Sequence, residues 1–285
     1  MLNALFLMLA TLGISGQSIL KKSYNLKTEN KGSFVFASLS VFFAALFFLA
    51  ISRFDLHFRW EILPYAFGFA LAYGTAVVML LLAIKLGSLS LTLLVYSYSL
   101  IIPTFYGLFF LGEEVGLLFY IGLALLFISL FLMNAKHTGA RITLPWIVAV
   151  FLAFLGNGLC STVQMVQQKT FNGQYKSEMM IVALFTVFLV MLTLSLVFQK
   201  KEIAPAIRRG GPIAAACGVT NGLCNLFVML LAVRMNASLM YPVISAGGIL
   251  LTVLVSLLLY KEKLSRGQYL ALILGTASVV LMNVS

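Results

Sequence analysis

Apolar residues fill the chain in ten consecutive stretches of roughly twenty positions, and the carboxylates lie in or beside the breaks between them. An α-helix rises about 1.5 Å per residue, so about 20 residues cross about 30 Å of hydrocarbon. The pattern predicts an all-α integral membrane protein with ten transmembrane helices. We place them at Leu2 to Leu20, Phe34 to Ile51, Ile62 to Ile84, Leu89 to Leu111, Leu117 to Met133, Leu144 to Val166, Met179 to Phe198, Pro212 to Val233, Leu239 to Tyr260 and Tyr269 to Val284.

Composition excludes a water-soluble fold. Hydrophobic residues make up 62% and charged residues 9% of the chain, and the mean hydropathy is +1.06. The first apolar stretch has no basic segment before it, so we expect a retained helix and not a signal peptide. Cys160, Cys217 and Cys224 lie inside apolar stretches, which predicts buried reduced thiols without a metal, and no cofactor is expected.

The formal net charge of +11 reports membrane topology. Lys and Arg are spread over short loops, and 14 of the 19 fall on the odd-numbered loops. The positive-inside rule therefore predicts that both termini lie outside the cell. Because the basic residues are dispersed, no nucleic-acid partner is expected.

An internal repeat relates the two halves of the chain. Shifting the sequence by 149 residues places 83–134 on 232–283. The matched polar positions are Glu113 and Glu262, Tyr120 and Tyr269, and Ser129 and Ser278. Five helices per copy is an odd number, so the second copy enters the membrane upside down. We predict a first five-helix repeat at 1–134, a linker at 135–143 and a second, inverted repeat at 144–285.

Helices four and nine each carry a stripe of polar and small residues at spacing i, i+4, i+7, i+11, which lies on one helix face. The stripes are Thr92, Tyr96, Ser99 and Pro103, and Tyr241, Ser245, Gly248 and Thr252. Inverted symmetry would set the stripes face to face, which predicts a substrate cavity between these helices. Ordinary close helix packing is the alternative, because it uses the same small and hydroxylated residues.

Amide side chains inside helices one, six and eight are further candidates for substrate contact. They are Gln17 on helix one, Asn157 and Gln164 on helix six beside Ser161, and Asn221 and Asn225 on helix eight. Amides in hydrocarbon need partners, so interhelical bonding is the alternative to substrate binding. Gln17 is the counterpart of Gln164, since the segments 17–22 and 164–169 resemble each other.

Two positions are candidate conformational hinges, Pro103 on helix four and Gly248 on helix nine. Pro103 lacks an N–H and frees the carbonyl four residues back, which a neighbouring group must satisfy. A static packing kink is the alternative at Pro103.

The remaining charged and aromatic residues give no sign of catalysis. Glu113, Glu114 and Glu262 lie at helix ends, and Glu113 and Glu262 are predicted to serve the N-terminal turns of helices five and ten. The predicted helix interiors hold no carboxylate for proton exchange, whereas the rings of Tyr96 and Tyr241 are able to receive a cationic or aromatic group. No nucleophile, metal-ligand or phosphate-loop motif occurs, so we do not expect an enzyme.

The chain resembles the drug/metabolite transporter superfamily, in its EamA-like branch. The residues that carry the resemblance are the paired segments starting at Ala83 and Ala232, each followed by Lys85 or Arg234, then Gly112-Glu113 or Lys261-Glu262, and a final helix containing Tyr120 or Tyr269. The resemblance implies two inverted repeats, alternating access and a small metabolite as substrate. It also implies cytoplasmic termini, whereas the charge distribution indicates the opposite, and we keep the charge-based orientation.

These observations together predict a secondary carrier in a bacterial inner membrane that moves a small polar or amphipathic metabolite by alternating access. Its partners would be that solute and membrane lipid. We expect a monomer, with a homodimer as the alternative. The alternative function is a membrane-embedded enzyme or flippase acting on a lipid-linked substrate.

Overall fold

The computed structural model describes residues 2–87, 92, 95–134, 143–260 and 266–284, and these ranges are helical without strands. The described helices are α1 Leu2–Thr28, α2 Ser33–Ile51, α3 Leu63–Leu86, α4 Val95–Phe110, α5 Leu117–Asn134, α6 Leu144–Thr170, α7 Lys176–Phe198, α8 Ile203–Ala232, α9 Ala237–Tyr260 and α10 Arg266–Val284. Within these ranges, six helices are long and apolar enough to cross a membrane: α1, α2, α3, α6, α7 and α8. Most of the predicted linker, 135–142, lies outside the described residues.

Two helices extend beyond their apolar stretches. α1 continues past Leu20 to Thr28, so Lys21 and Lys22 are helical residues and not loop residues. α8 starts at Ile203, which places Pro212 inside the helix and corrects its predicted position in the first turn. The predictions fail because Lys and Arg favour helix formation once the chain has left the apolar stretch. Pro64 and Pro145 lie in the first turns of α3 and α6, where the missing N–H breaks no helical hydrogen bond.

Most of the extensive helix contacts are related by an exchange between the two halves, and the contact of α9 with α10 is an exception. The contact of α1 with α8 corresponds to the contact of α6 with α3. The contact of α2 with α8 corresponds to the contact of α7 with α3. The contact of α1 with α9 likewise matches that of α6 with α4. Three further pairs, α2 with α7, α4 with α9 and α5 with α10, are their own counterparts. Replacing each helix by the one five places away thus reproduces these contacts.

The main core lies between α2, α3 and α7, where Phe48, Phe69 and Leu184 are almost completely buried. The outer surface is also apolar, with Leu71 and Phe109 each 75% exposed. An apolar core with an equally apolar exterior is expected of a bundle whose solvent is lipid. The three cysteines are buried free thiols, as predicted.

α4 changes its winding in front of Pro103. A single 3-10 turn at Tyr98–Leu100 precedes regular α-helix from Ile101 to Phe110. Pro103 is buried and cannot donate to the carbonyl of Ser99, and Gly158 of α6 packs directly against that carbonyl. The role of Pro103 as a hinge stays a prediction, but its freed carbonyl lies at a helix contact.

Small residues bring α6 close to α3. A Cβ atom at Gly156 would lie 2.6 Å from the carbonyl oxygen of Ala72 and 2.8 Å from the amide nitrogen of Ala76. Both neighbours are backbone atoms, which move only if the helix moves. Contact of this kind between backbones is a common basis of helix association in membranes.

Replacing Gly156 by alanine should therefore destabilise the fold. We expect Gly156→Ala to lower the free energy of unfolding by about 1–3 kcal/mol, the usual cost of overpacking. Gly74→Ala on α3 is the matched control, because nothing lies within 4 Å of its added Cβ and alanine favours the helix. Thermal unfolding in detergent compares the variants. Equal unfolding temperatures for the two variants would contradict the close contact of α3 and α6.

Candidate functional site

Polar side chains in the interior of the bundle connect five helices, α1, α4, α6, α8 and α9. We call this set the polar network. Its members are Gln17, Tyr96, Ser99, Asn157, Ser161, Gln164, Asn221, Asn225 and Tyr241. The sequence pattern pointed to each of these positions, and the structure brings them together through hydrogen bonds.

Asn157 on α6 organises one side of the polar network. Tyr96 on α4 donates its hydroxyl hydrogen to Asn157 Oδ1 at 2.9 Å, and Asn157 Nδ2 donates to Ser99 Oγ at 2.5 Å. One turn further along α6, the carbonyl of Ser161 accepts a hydrogen bond from the Tyr241 hydroxyl of α9 at 2.9 Å. α6 thus stands between the two stripe-bearing helices and binds both.

A chain of amides forms the other side of the polar network. Gln164 Nε2 on α6 donates to Asn225 Oδ1 at 3.1 Å. Asn225 Nδ2 donates to Asn221 Oδ1 at 3.1 Å, and Asn221 Nδ2 donates to Gln17 Oε1 of α1 at 2.9 Å. Gln17 and Gln164, the predicted counterparts, therefore hold the two ends of the chain. The interhelical bonding that the sequence left as an alternative is present.

The polar network is neutral and partly accessible. Half-buried members are Gln17, Tyr96, Asn157, Ser161, Asn221 and Asn225. Amides and hydroxyls offer donors and acceptors to a polar solute, but none of them exchanges protons near neutral pH. In the part of the chain that the structure describes, no three His, Cys, Asp or Glu residues cluster as metal ligands do. The arrangement suits hydrogen-bonded recognition.

The other predicted site residues lie at helix contacts around the network. Thr92 is buried and accepts a hydrogen bond from Trp146 Nε1 of α6 at 2.9 Å. The carbonyl of Gly248 on α9 accepts a hydrogen bond from Ser15 Oγ of α1 at 3.0 Å. Ser245 is partly exposed, and the Thr252 side chain lies outside the described residues.

The stripes on α4 and α9 are bridged by other helices. Although α4 and α9 pack against each other, the hydrogen bonds given above run from α4 to α6 and from α9 to α6 and α1. A cavity with the two stripes face to face stays a prediction, as does a hinge at Gly248.

Two residues next to the polar network were missed as site residues. Tyr73 on α3 is half-buried, and its hydroxyl lies near the Asn221 side chain. Lys21 on α1 lies on the same helix face as Gln17, near Cys217 of α8, and is exposed. The spacing of Lys21 from Gln17, one helical turn, was a usable signal, but the predicted end of helix one at Leu20 concealed it.

Glu113 closes one end of the bundle. It follows α4, and its side chain is 5% exposed. Its oxygens accept hydrogen bonds from the amide nitrogens of Ala237 at 2.9 Å and Ser238 at 2.8 Å, and Lys169 Nζ lies 2.9 Å away. Glu113 therefore serves the N-terminus of α9 and not that of helix five, which corrects the sequence prediction. The side chain of Glu262 lies outside the described residues.

The charge of Glu113 is stabilised by its partners. Burial opposes ionisation, but the amide hydrogens of Ser238 and Ala237 and the Lys169 ammonium outweigh burial, and together they lower the pKa of the Glu113 carboxyl. The unsatisfied N–H groups at the start of a helix favour a carboxylate in this way. Glu113 consequently holds α4, α6 and α9 together as an anion.

No protein-family model and no curated protein matches the sequence. The backbone does match solved structures. One crystal structure superimposes with a TM-score of 0.80, covering 99% of this chain and 96% of the other, at 13% sequence identity. This similarity shows a shared fold over nearly the whole length.

Removing the charge of Glu113 should destabilise that end of the bundle. We expect Glu113→Gln to lower the free energy of unfolding by about 1.5–3 kcal/mol, the usual worth of hydrogen bonds to a charged group. Because the folded-state pKa lies below the ordinary 4.5, this stabilisation is present above that pH and is lost as the pH falls through the lower value. Thermal unfolding measured from pH 7 to pH 3 should show the gap between wild type and variant closing.

Glu114→Gln is the matched control for this experiment, because Glu114 is the neighbouring carboxylate and is exposed. We expect it to unfold like wild type. The same loss of stability in both variants, or a gap independent of pH, would contradict the role of Glu113.

Proposed function

We propose that the protein is a secondary transporter that moves a small polar or amphipathic metabolite by alternating access. In this proposal, ten helices cross the membrane as two inverted five-helix repeats, as the resemblance to the drug/metabolite transporter superfamily implies. A single chain of two repeats encloses its own pathway, so a monomer is sufficient.

The helix contacts support the inverted repeat. Apart from the contact of α9 with α10, each contact described above is matched when a helix is replaced by the one five places away. The 149-residue sequence shift relates α4 and α5 to α9 and α10 in the same way. A repeat of five crossings starts and ends on opposite sides of the membrane, so the second repeat is inverted relative to the first. Two such repeats are related by a pseudo-two-fold axis in the membrane plane. Transporters with inverted repeats hold their substrate where the repeats meet.

The polar network is the observation that carries the proposal. It sets amides and hydroxyls from both proposed repeats at the meeting point of α1, α6 and α8 and of α4 and α9. Polar groups inside a membrane protein are costly and mark a functional site by default. For the alternative, an enzyme or flippase for lipid-linked substrates, the described residues offer no cluster of metal-ligating side chains as support.

The two ends of the bundle differ in a way that suits one state of a transport cycle. α8 begins beside Tyr24 of α1, which contacts Gly210, and ends where α9 begins, at the Glu113 closure. Lys21 therefore lies toward the end opposite Glu113. By the charge-based orientation, the Glu113 end faces outward and is closed, so the solute reaches the polar network from the cytoplasm. Opening outward would require α9 to leave Glu113.

Substitutions in the polar network should reduce transport. A thermal-shift screen of purified protein with amino acids, organic acids, amines and sugars selects a solute, because ligands of the folded state raise its unfolding temperature. For that solute, we expect Asn157→Ala and Tyr96→Phe to reduce uptake into proteoliposomes at least about tenfold, the effect of a lost hydrogen bond to a buried partner.

Thr193→Val is the control for these variants, since Thr193 is exposed on α7 and bonds only to the carbonyl of Leu189 on its own helix. It should transport like wild type. Equal uptake by all four proteins would remove the polar network as the site. A screen and uptake assays without any response would contradict a carrier.

The orientation has a separate test in bacterial cells. We expect alkaline phosphatase fused to the C-terminus to be active, because the enzyme requires an extracytoplasmic location and the positive-inside rule places this terminus there. A C-terminal fluorescent protein provides the reciprocal measurement. Fluorescence with inactive phosphatase would reverse the orientation.

A further inference from the structure

We propose that the transported solute carries a carboxylate and that Lys21 binds it. This inference rests on the proposed function and adds the chemical class of the substrate. It depends on the position of Lys21 beside the polar network, on its charge, and on the absence of a described partner for that charge.

Lys21 lies one helical turn from Gln17, which is hydrogen-bonded to Asn221 of α8. Gln17 and Lys21 are four residues apart on α1, as are Cys217 and Asn221 on α8, so each pair lies on one helix face. Gln17 bonds to Asn221, and Lys21 lies near Cys217 one turn away. The backbone positions of Lys21 and Gln17 are thus about 6 Å apart along the axis of α1, given the rise of an α-helix.

The position of Lys21 differs from that of a lysine at a helix end. α1 continues for two turns beyond it, and Tyr24 in the next turn is fully buried against α8. Lys21 lies between Gln17 and Tyr24 on the face of α1 that packs against α8. Because it is nevertheless exposed, we infer that its side chain faces an opening beside α8. A cation held in such a place without a counter-ion is costly, which makes an intramembrane lysine a candidate for function.

No carboxylate of the described residues neutralises Lys21. The two at the same end of the bundle have other partners: Glu29 lies 3.6 Å from both Lys31 and Arg209, and Glu202 accepts a hydrogen bond from the amide of Gly32 at 2.6 Å. The polar network itself is neutral. An anionic ligand would therefore supply the counter-charge for Lys21 that the described carboxylates do not provide.

The repeat does not account for this lysine. Aligning Gln17 with Gln164 places Lys22 on Lys169, the partner of Glu113, and places Lys21 on Gln168. Gln168 is completely buried, whereas Lys21 is exposed. One copy thus supplies a basic side chain that the other copy lacks, which suits a solute with an anionic group at one end.

The separation of one helical turn between Lys21 and Gln17 also limits the size of the solute. A carboxylate on Lys21 leaves the rest of the molecule within reach of Gln17, Asn221 and Tyr73, about one helical turn away. Those groups are donors and acceptors of hydrogen bonds, so the solute needs polar substituents close to its carboxylate. Small amino, hydroxy or keto acids have this form.

The test compares binding of charged and neutral probes. Purified wild-type protein in lipid-free detergent is titrated with glutamate, pyruvate and succinate, and with putrescine and glucose as probes lacking a carboxylate, by thermal shift. We expect stabilisation by at least one carboxylate and at least about tenfold weaker binding of it by Lys21→Gln, which loses a charge-assisted hydrogen bond. Lys21→Arg keeps the charge and should retain binding. Lys27→Gln, at an exposed position on the same helix, should bind like wild type.

Failure of this inference is separable from failure of the proposed function. If putrescine or glucose binds and is transported, or if a carboxylate binds equally to wild type and Lys21→Gln, the carboxylate assignment is wrong and the carrier stands. If Lys21→Gln does not fold, Lys21→Arg decides the question. Loss of carboxylate binding by Lys21→Arg at a native unfolding temperature contradicts the assignment, and retained binding supports it. Stabilisation by phosphatidylglycerol alone would overturn it in favour of a lipid headgroup.

Discussion

Hydrocarbon offers no partner for a hydrogen bond, and the interior of this bundle is arranged around that constraint. Each amide on α1, α6 and α8 must meet another polar group inside the protein. Gln164 of α6 is hydrogen-bonded to Asn225 of α8, and Asn221 of α8 is hydrogen-bonded to Gln17 of α1. These two hydrogen bonds fix the rotation of α1, α6 and α8 about their axes. Leucine contacts alone would leave these rotations less well determined, since apolar surfaces are interchangeable in lipid.

The position of α6 follows from the same constraint combined with close packing. Gly156 and Gly158 flank Asn157 and allow α6 to approach the backbones of α3 and α4. A side chain at position 158 would push α6 away from Ser99 and lengthen the hydrogen bonds that join Asn157 to Tyr96 and Ser99. The glycine thus sets the distance between the helices, and the neighbouring asparagine forms the hydrogen bonds that this distance allows.

The sequence was sufficient for the class of fold and for the polar positions. Uninterrupted apolar stretches locate helices because the length of a crossing is fixed by the bilayer, and amides inside them are conspicuous. Helix ends were less accurate, as Lys21 and Pro212 show, because charged residues continue a helix as readily as they end it. Hydrogen-bond partners could not be assigned, since they depend on helix rotation and on which helices become neighbours.

Glu113 illustrates what local sequence leaves open. It precedes α5 in the chain, yet it binds the first turn of α9, more than a hundred residues away, because the α4–α5 connection and the start of α9 meet at one end of the bundle. Only the tertiary fold brings those free amide hydrogens to the carboxylate.

The ionisation of the Glu113 carboxyl also matters for whether protons could drive transport. A group that exchanges protons during a cycle needs a pKa near the working pH, whereas the partners of Glu113 lower its pKa. At neutral pH it remains an anion for as long as α9 is in place. Within the described residues, the polar network adds only neutral amides and hydroxyls, so a proton would have no carboxylate to bind beside the solute. A charged solute held by Lys21 would instead bring its own charge, and its movement would then respond directly to the membrane potential.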